Sequence, residues 1–185
     1  MNFEFEFLYF LQSLHTPWLD SFMTAVTGLG NGGGIWILTG VIFLFSKKTR
    51  DMGICLLLSL LAGLVIGNVI LKNLVARSRP SWLVHFVPLL IENPTDYSFP
   101  SGHTLASFEG AVSIFLYRRK WGIFALILAA VIAFSRMYLF VHFPTDILGG
   151  LVLGTAIACG IHWLWEKKGV PLREKLCYTG KRKNK

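Results

Sequence analysis

The 185-residue sequence is poor in charged residues and in cysteine. Asp, Glu, Lys and Arg make up 15% of it, whereas a typical soluble domain has about 25%. Hydrophobic residues make up 54%, and this combination excludes a disordered chain, which needs the opposite balance. The three cysteines, Cys55, Cys159 and Cys177, are an odd number, and two lie in apolar runs. The sequence therefore predicts neither a disulfide framework nor a cysteine metal site.

Formal charge is absent from three long stretches, residues 21–46, 52–71 and 147–165. A helix of about 20 apolar residues crosses a hydrocarbon core of about 30 Å. Together with two shorter apolar runs, these stretches predict an all-α integral membrane bundle of about five spans. The expected spans lie near residues 30–46, 52–75, 103–117, 121–140 and 145–165.

Residues 1–29 are predicted to form one or two short amphipathic helices that lie in the membrane interface, because Pro17 divides the segment. The first residues are acidic, whereas a cleavable signal peptide begins with a basic region, so no such peptide is expected. The predicted organisation is a membrane-embedded domain over residues 1–165, with the bundle in 30–165, and a basic cytoplasmic tail over 166–185.

Basic residues outnumber acidic ones by 18 to 10 and form clusters after the first, third and fifth spans. The clusters are Lys47, Lys48 and Arg50; Arg118, Arg119 and Lys120; and the tail after Trp165, which includes Lys167, Lys168 and Arg173. Five alternating spans place all three on one side, which the positive-inside rule makes the cytoplasm. Residues 76–102 and 141–145 then face outward. Nucleic-acid binding by the tail is the alternative, but contact with anionic lipid explains the charge more simply.

A glycine-rich stretch, Gly28–Gly33, matches the G-x-G-x-x-G dinucleotide-binding pattern. That pattern works only between a strand and a helix of a βαβ unit, and here it precedes a membrane span. We interpret it as a bend that admits close packing.

Ionisable side chains concentrate at the outward ends of four spans, although such groups are costly near a bilayer. They are Lys72, Arg77, Arg79, His103, Arg136, His142 and Asp146. A single cation at a helix end often only anchors the helix to lipid headgroups. A group of three or more cations, two histidines and a carboxylate at one membrane face instead indicates a functional site.

The spacing of these residues favours an anion site. Lys72 and Arg79 are seven positions apart, so they project from one face if the helix persists, and together they suit a phosphate. The third span opens with Pro100, Ser101, Gly102 and His103, and a helix start offers free N–H groups to an anion. An ordinary turn and cap is the alternative for these residues.

His142 and Asp146 bridge the fourth and fifth spans. Pro144 fits the first helical position, which makes Asp146 the third helical residue, able to reach back as in a capping box. We expect Asp146 to accept a hydrogen bond from one nitrogen of His142 and so leave the other nitrogen ready to attack. The alternative is that Asp146 only caps its helix.

Three segments of the chain together resemble a known family. Lys72-(six residues)-Arg79-Pro80, Pro100-Ser101-Gly102-His103 and Ser135-Arg136-(five residues)-His142-(three residues)-Asp146 are similar, in order and spacing, to the three signature motifs of the type-2 phosphatidic acid phosphatase superfamily. The resemblance covers roughly residues 17–165.

The resemblance implies a membrane lipid phosphatase with defined residue roles. His142 would form a phosphohistidine, Asp146 would orient it, and His103 would be the general acid that protonates the leaving oxygen. The residues expected to hold the phosphoryl oxygens are Lys72, Arg79, Ser101, Gly102 and Arg136. Arg77 falls in a variable stretch of the first motif and receives only a supporting role.

The expected substrate is a lipid phosphomonoester or diphosphate at the extracytoplasmic face, for which the resemblance suggests undecaprenyl diphosphate, phosphatidylglycerol phosphate or phosphatidic acid. No carboxylate cluster suited to magnesium is visible, so no metal and no cofactor are expected. The predicted partners are the lipid substrate and the bilayer, without nucleic acid. Two alternatives stay open: a non-catalytic phospholipid-binding or transport protein, and a vanadate-dependent haloperoxidase-like enzyme. Glu109, inside the third span, is interpreted as a packing residue or a proton path.

Overall fold

The computed structural model describes residues 3–171, and all regular secondary structure in that range is helical. The nine helices are α1 (Phe3–Ser13), α2 (Pro17–Leu29), α3 (Gly34–Leu44), α4 (Arg50–Gly63), α5 (Lys72–Val75), α6 (Pro80–Leu83), α7 (Gly102–Tyr117), α8 (Arg119–Tyr138) and α9 (Pro144–Leu164). A 3-10 turn (Asn31–Gly33) precedes α3, and π-helical segments (Leu64–Leu71 and Trp165–Gly169) extend α4 and α9. The predicted all-α class is confirmed.

A helix lies at each of the five predicted spans. In residues 3–171, three helical runs are long and apolar enough to cross a membrane individually: Arg50–Leu83, Arg119–Tyr138 and Pro144–Gly169. A fourth span is possible where α2 and the run Asn31–Leu44 form a pair bent by 44°. The remaining predicted span coincides with α7, which has only 16 residues. In this bent pair, α2, the second predicted interfacial helix, continues into the next span. The interfacial location of residues 1–29 stays a prediction.

Helix α7 forms the centre of the bundle and packs against α4, α8 and α9. Its buried face carries small and polar residues, including Ser107, Gly110 and Ser113, which allow neighbouring helices to approach. The outer helices instead expose large apolar side chains, such as Phe124 at 74% and Val152 at 63% of their surface. This distribution suits helices in contact with lipid, and the chain is a membrane protein.

The crossing of α7 and α9 depends on two glycines, Gly150 and Gly154, which are four residues apart on α9. A Cβ atom at Gly150 would lie 2.9 Å from the carbonyl oxygen of Ser101, and one at Gly154 would lie 2.6 Å from that of Leu105. Neither position has room for a larger residue, so the two backbones touch directly. The Ser101 N–H also donates to the carbonyl of Asp146 at 3.1 Å.

The two ends of the bundle differ in character. At one end Tyr117 donates to Glu166 at 2.8 Å and Trp165 donates to Asp51 at 3.2 Å, which brings the ends of α7 and α9 to the start of α4. The basic residues 47–50 and 118–120 lie at this end. The motif residues lie at the other end, where α7 and α9 begin and α8 finishes. Residues 1–2 and 172–185, which include Cys177 and most of the predicted basic tail, lie outside the described residues.

Candidate active site

A cavity of about 990 Å³ opens at the motif end of the bundle. Six of the eight predicted site residues line it, namely Lys72, Arg79, Gly102, His103, Arg136 and His142. The other two, Ser101 and Asp146, are fully buried beside it. Residues more than 60 positions apart in sequence are therefore brought together around one space, with both imidazoles on its wall.

His142 lies in the short connection between α8 and α9 and is 1% exposed. Arg79 donates from Nη1 to His142 Nε2 at 2.9 Å, and because a guanidinium can only donate, Nε2 carries a lone pair. Burial, reinforced by the positive charges of Arg79 and Arg136, holds the pKa of His142 well below its ordinary value. The imidazole is thus neutral, with its hydrogen on Nδ1 and its lone pair on the side of Arg79.

The link between His142 and Asp146 differs from the expected direct hydrogen bond. His142 Nδ1 lies 3.6 Å from Asp146 Oδ2, which is beyond hydrogen-bond distance. Ser98 stands between them: its hydroxyl donates to Asp146 Oδ2 at 2.5 Å and lies 3.4 Å from His142 Nδ1. Asp146 Oδ2 also accepts from the Phe143 N–H at 2.8 Å. The carboxylate oxygen is already occupied by these two donors, so it reaches the imidazole through the serine.

The bond from Phe143 to Asp146 confirms the predicted capping box at the start of α9. The other carboxylate oxygen, Oδ1, accepts from Arg77 Nη1 at 2.7 Å. Arg77 also donates from Nη2 to Glu4 of α1 at 2.6 Å. Arg77 therefore contacts the carboxylate that lies behind His142, and it lines no part of the cavity.

Lys72 and Arg79 share one carboxylate, that of Asp96. Both cations are buried, with 8% and 2% of their side chains exposed. Asp96 Oδ2 accepts from Lys72 Nζ, and Asp96 Oδ1 accepts from Arg79 Nη2 at 2.7 Å. Partial burial alone would raise the pKa of Asp96, but the hydrogen bonds and charges of Lys72 and Arg79 outweigh it and lower that pKa to about 2. Asp96 is thus ionised and paired with Lys72 and Arg79, two of the residues predicted to hold phosphate.

His103 is the second residue of α7 and is held by the glycine-rich bend. Its Nε2 lies 2.9 Å from Asn31 Oδ1, so His103 donates this hydrogen bond. Gly30 packs against the ring, because a Cβ there would lie 2.8 Å from His103 Cδ2. Gly32 and Gly33 have φ values of 58° and 69°, which suit glycine. The interpretation of this stretch as a close-packed bend is confirmed, and its asparagine reaches the site.

Ser101 and Arg136 complete the predicted set in different ways. Ser101 caps α7: its hydroxyl oxygen accepts from the Thr104 N–H at 3.4 Å and from the Thr104 hydroxyl at 3.0 Å. Arg136, at the end of α8, donates from Nη1 to Thr27 at 2.7 Å, while its buried Nε has no hydrogen-bond partner within residues 3–171. Arg136 lines the cavity, so part of its guanidinium is available to an anion.

Five residues of the site were not anticipated from the sequence: Glu4, Thr27, Asn31, Asp96 and Ser98. Each contacts a predicted residue within hydrogen-bond distance. A sequence signal existed only for Asn31, which lies inside the glycine-rich stretch.

Glu109 lies farther down the cavity wall, on α7. It is 1% exposed, and its Oε1 has no hydrogen-bond partner among the residues that the structure describes. Gly63 of α4 faces it, and a side chain at that position would overlap the carboxyl group. The structure thus places Glu109 at a close helix contact that also borders the cavity.

Within residues 3–171 no group of three or more His, Cys, Asp and Glu side chains is arranged to hold a metal ion. The positive charge at the site comes from Lys72, Arg79 and Arg136, and the Asp96 carboxylate is paired with the first two. A neutral imidazole beside three cations, with a second imidazole on the same cavity, can bind a phosphoryl group and attack it.

A helical membrane bundle that holds two histidines and three cations around one cavity has the site expected of a membrane protein that binds phosphoryl groups. The sequence profile of the PAP2 superfamily matches residues 53–169, and the chain belongs to that superfamily.

Proteins with several different names are similar to this chain. An undecaprenyl-diphosphatase of Sulfolobus acidocaldarius is 40% identical over 125 residues, which is 67% of this chain and 60% of that protein. Phosphatidylglycerophosphatase B of Bacillus subtilis is 34% identical over 155 residues, 76% of this chain and 72% of the relative. The match to the Sulfolobus relative thus spans less than two thirds of that protein.

Two solved structures share the fold. The transmembrane PAP2-type phosphatidylglycerolphosphate phosphatase from Bacillus subtilis superimposes with a TM-score of 0.71 and 30% identity, covering 87% of this chain and 83% of the other. Aquifex aeolicus LpxE gives a TM-score of 0.69 and 26% identity, covering 87% and 95%.

Proposed function

We propose that this chain is a lipid phosphatase that hydrolyses the phosphomonoester or diphosphate headgroup of a membrane lipid through a phosphohistidine intermediate on His142. One observation carries the proposal: the lone pair of His142 Nε2 lies 2.9 Å from a guanidinium nitrogen of Arg79, on the wall of a cavity lined by three cations. Membership of the PAP2 superfamily supports it.

In the first step a phosphoryl oxygen replaces His142 Nε2 as the acceptor of Arg79 Nη1, which frees the Nε2 lone pair. That lone pair attacks phosphorus, a bond from nitrogen to phosphorus forms, and the bond from phosphorus to the lipid oxygen breaks. Lys72, Arg79 and Arg136 neutralise the charge on the phosphoryl oxygens. Positive charge develops on the imidazole, and the Asp146 carboxylate, acting across Ser98, stabilises it. His103 enters this step as an imidazolium: it keeps its Nε2–H on Asn31 and gives its Nδ1 proton to the departing lipid oxygen.

In the second step water attacks the phosphohistidine and releases inorganic phosphate, so His142 returns to its neutral state. His103, now neutral, takes the proton from the attacking water on Nδ1 and becomes an imidazolium again. The hydrogen bond to Asn31 fixes the ring of His103 during both transfers. Both steps as proposed use only side chains and water.

The cavity favours a substrate with an apolar tail. Below the cations its wall is formed by apolar side chains of α4 and its extension, including Leu57, Leu60 and Leu64. A lipid can place its phosphate among the cations while its chain contacts these residues. The names of the two relatives cover both a prenyl diphosphate and a glycerophosphate lipid, and the proposal includes both classes.

The proposed site faces the extracytoplasmic side, and the basic end of the bundle faces the cytoplasm. A cysteine introduced at Glu92, which borders the cavity, should react with a membrane-impermeant thiol reagent added from outside to intact cells. A cysteine at Lys47 should react only after the membrane is opened. The reverse pattern would overturn the orientation.

The function is tested by phosphate release from a panel of purified lipid phosphates and diphosphates. We expect turnover of at least one of them, its loss in His142→Ala, and normal turnover in His85→Ala, which changes an exposed histidine away from the cavity. A phosphorus-labelled lipid should label the wild-type chain and not His142→Ala. Binding without phosphate release in the wild type would favour a non-catalytic lipid-binding protein, and equal turnover in His142→Ala would refute the site.

A further inference from the structure

Asp96 occupies the position that the proposed function assigns to the substrate phosphate. Its two carboxylate oxygens accept separately from Lys72 Nζ and from Arg79 Nη2, and its backbone carbonyl accepts from Arg79 Nε at 2.6 Å. Two anionic oxygens on an ammonium and a guanidinium form the same pattern that two phosphoryl oxygens would form. Within residues 3–171, Asp96 is the one carboxylate that forms a salt bridge with either cation.

The same guanidinium connects Asp96 to the nucleophile. Arg79 contacts Asp96 through Nη2 and Nε, and it contacts His142 Nε2 through Nη1. Asp96, both cations and His142 all border one cavity. A phosphoryl group placed for attack by His142 therefore cannot engage Lys72 and Arg79 unless the Asp96 side chain leaves them.

The exposure of the three side chains shows which of them can move. Lys72 and Arg79 are 8% and 2% exposed, whereas the Asp96 side chain is 55% exposed. Lys72 lies on α5, and Arg79 is also held by hydrogen bonds to the carbonyls of Val141 and Tyr97. Asp96 belongs to the irregular connection between α6 and α7, where few backbone hydrogen bonds restrain it. The cations are thus fixed, and the anion that neutralises them can turn into solvent.

We propose that Asp96 is an exchangeable counter-ion that competes with phosphate for Lys72 and Arg79, and thereby discriminates against free inorganic phosphate in favour of phosphate carried on a lipid. The inference rests on the proposed function. A tethered carboxylate acts at a high effective concentration, so any phosphate must displace it. A lipid substrate gains additional affinity from its buried tail, and inorganic phosphate does not. After hydrolysis the carboxylate returns to the cations and expels the product.

The test is the inhibition constant of inorganic phosphate, measured with the detergent-solubilised full chain and a lipid phosphate substrate. Asp96→Asn keeps the shape but removes the charge, and it should lower this constant about tenfold, the effect of one charged hydrogen bond. Asp96→Glu should keep the weak inhibition of the wild type. The control Glu92→Gln removes an acid from the same connection, which also borders the cavity but forms no salt bridge with Lys72 or Arg79 in the described chain. It should leave the constant unchanged.

An unchanged or higher phosphate inhibition constant in Asp96→Asn would overturn the proposal, because a merely structural salt bridge predicts loosened cations and weaker phosphate binding. A fall in Glu92→Gln equal to that in Asp96→Asn would overturn it as well. If the asparagine variant does not fold, Asp96→Ser removes the same charge. Thermal stabilisation by inorganic phosphate needs no turnover, so it tests Asp96 separately: stronger stabilisation of Asp96→Asn supports the competition even if no lipid in the panel is hydrolysed.

Discussion

The substitution Asp146→Asn tests what the carboxylate behind His142 contributes to the proposed reaction. In the described chain every hydrogen-bond partner of the Asp146 carboxylate is a donor: Arg77 at Oδ1, and Ser98 together with the Phe143 N–H at Oδ2. An asparagine has one oxygen and one NH2 group, so in either orientation its NH2 group faces a donor. The substitution therefore breaks at least one hydrogen bond in a fully buried site, although the side chain keeps its shape.

The loss of a charged hydrogen bond and the buried donor left behind together cost about 2–4 kcal/mol. This energy is felt mostly in the transition state, where His142 becomes positive and the carboxylate 3.6 Å away would stabilise it. Since each 1.36 kcal/mol is a factor of ten, kcat should fall about 30- to 1000-fold. KM should change little, because Asp146 does not line the cavity.

The assay is steady-state phosphate release from a lipid phosphate, with thermal unfolding measured in parallel. Asp20→Asn is the matched control: Asp20 accepts from the Tyr138 hydroxyl at 2.5 Å and lies outside the cavity, so its kcat should stay near that of the wild type. A folded Asp146→Asn protein whose kcat lies within about threefold of the wild type, less than 1 kcal/mol, would refute the orienting role.

Three further predictions follow from the site. Asn31→Ala removes the acceptor that fixes His103 and should lower kcat about tenfold, a fraction of what a general acid contributes; a wild-type kcat would contradict it. Because the lowered pKa keeps His142 neutral, the nucleophile is lost only as the pH falls through that low pKa, so the acidic limb of kcat/KM should lie well below pH 6.5. A limb at or above that pH argues against His142 as the attacking base. Activity should persist in excess chelator, and loss that added magnesium restores would show that a metal takes part.

The helices of the bundle could be predicted from the sequence, because a regular pattern of residues encodes them. Apolar runs with little or no charge predicted α3, α4, α7, α8 and α9, since a bilayer demands long apolar segments. The capping role of Asp146 followed from local spacing, because a capping box needs only three neighbouring positions. The same spacing predicted a direct bond to His142, and this was wrong, since a serine from a different segment takes the position between them.

The residues that were missed come from irregular segments. Asp96 and Ser98 belong to the connection before α7, and Asn31 belongs to the bend before α3. Their side chains reach the site because of backbone geometry that has no periodic signature, so spacing could not indicate their contacts. Glu4 reaches Arg77 only because α1 folds back on the bundle, a tertiary contact across 73 positions. The span count was similarly limited, because α7 is shielded by its neighbours and needs less length and apolarity than a lipid-facing helix.

The contact between α7 and α9 has a mechanical consequence. Gly150 rests on the backbone of Ser101, and a hydrogen bond ties that residue to Asp146. His103 follows Ser101 on α7, and His142 precedes α9. The contact therefore fixes the starts of the two helices next to which the imidazoles lie. We therefore expect the two imidazoles to keep their separation when bilayer thickness or tension tilts the outer helices, because Ser101 and Gly150 are buried away from lipid.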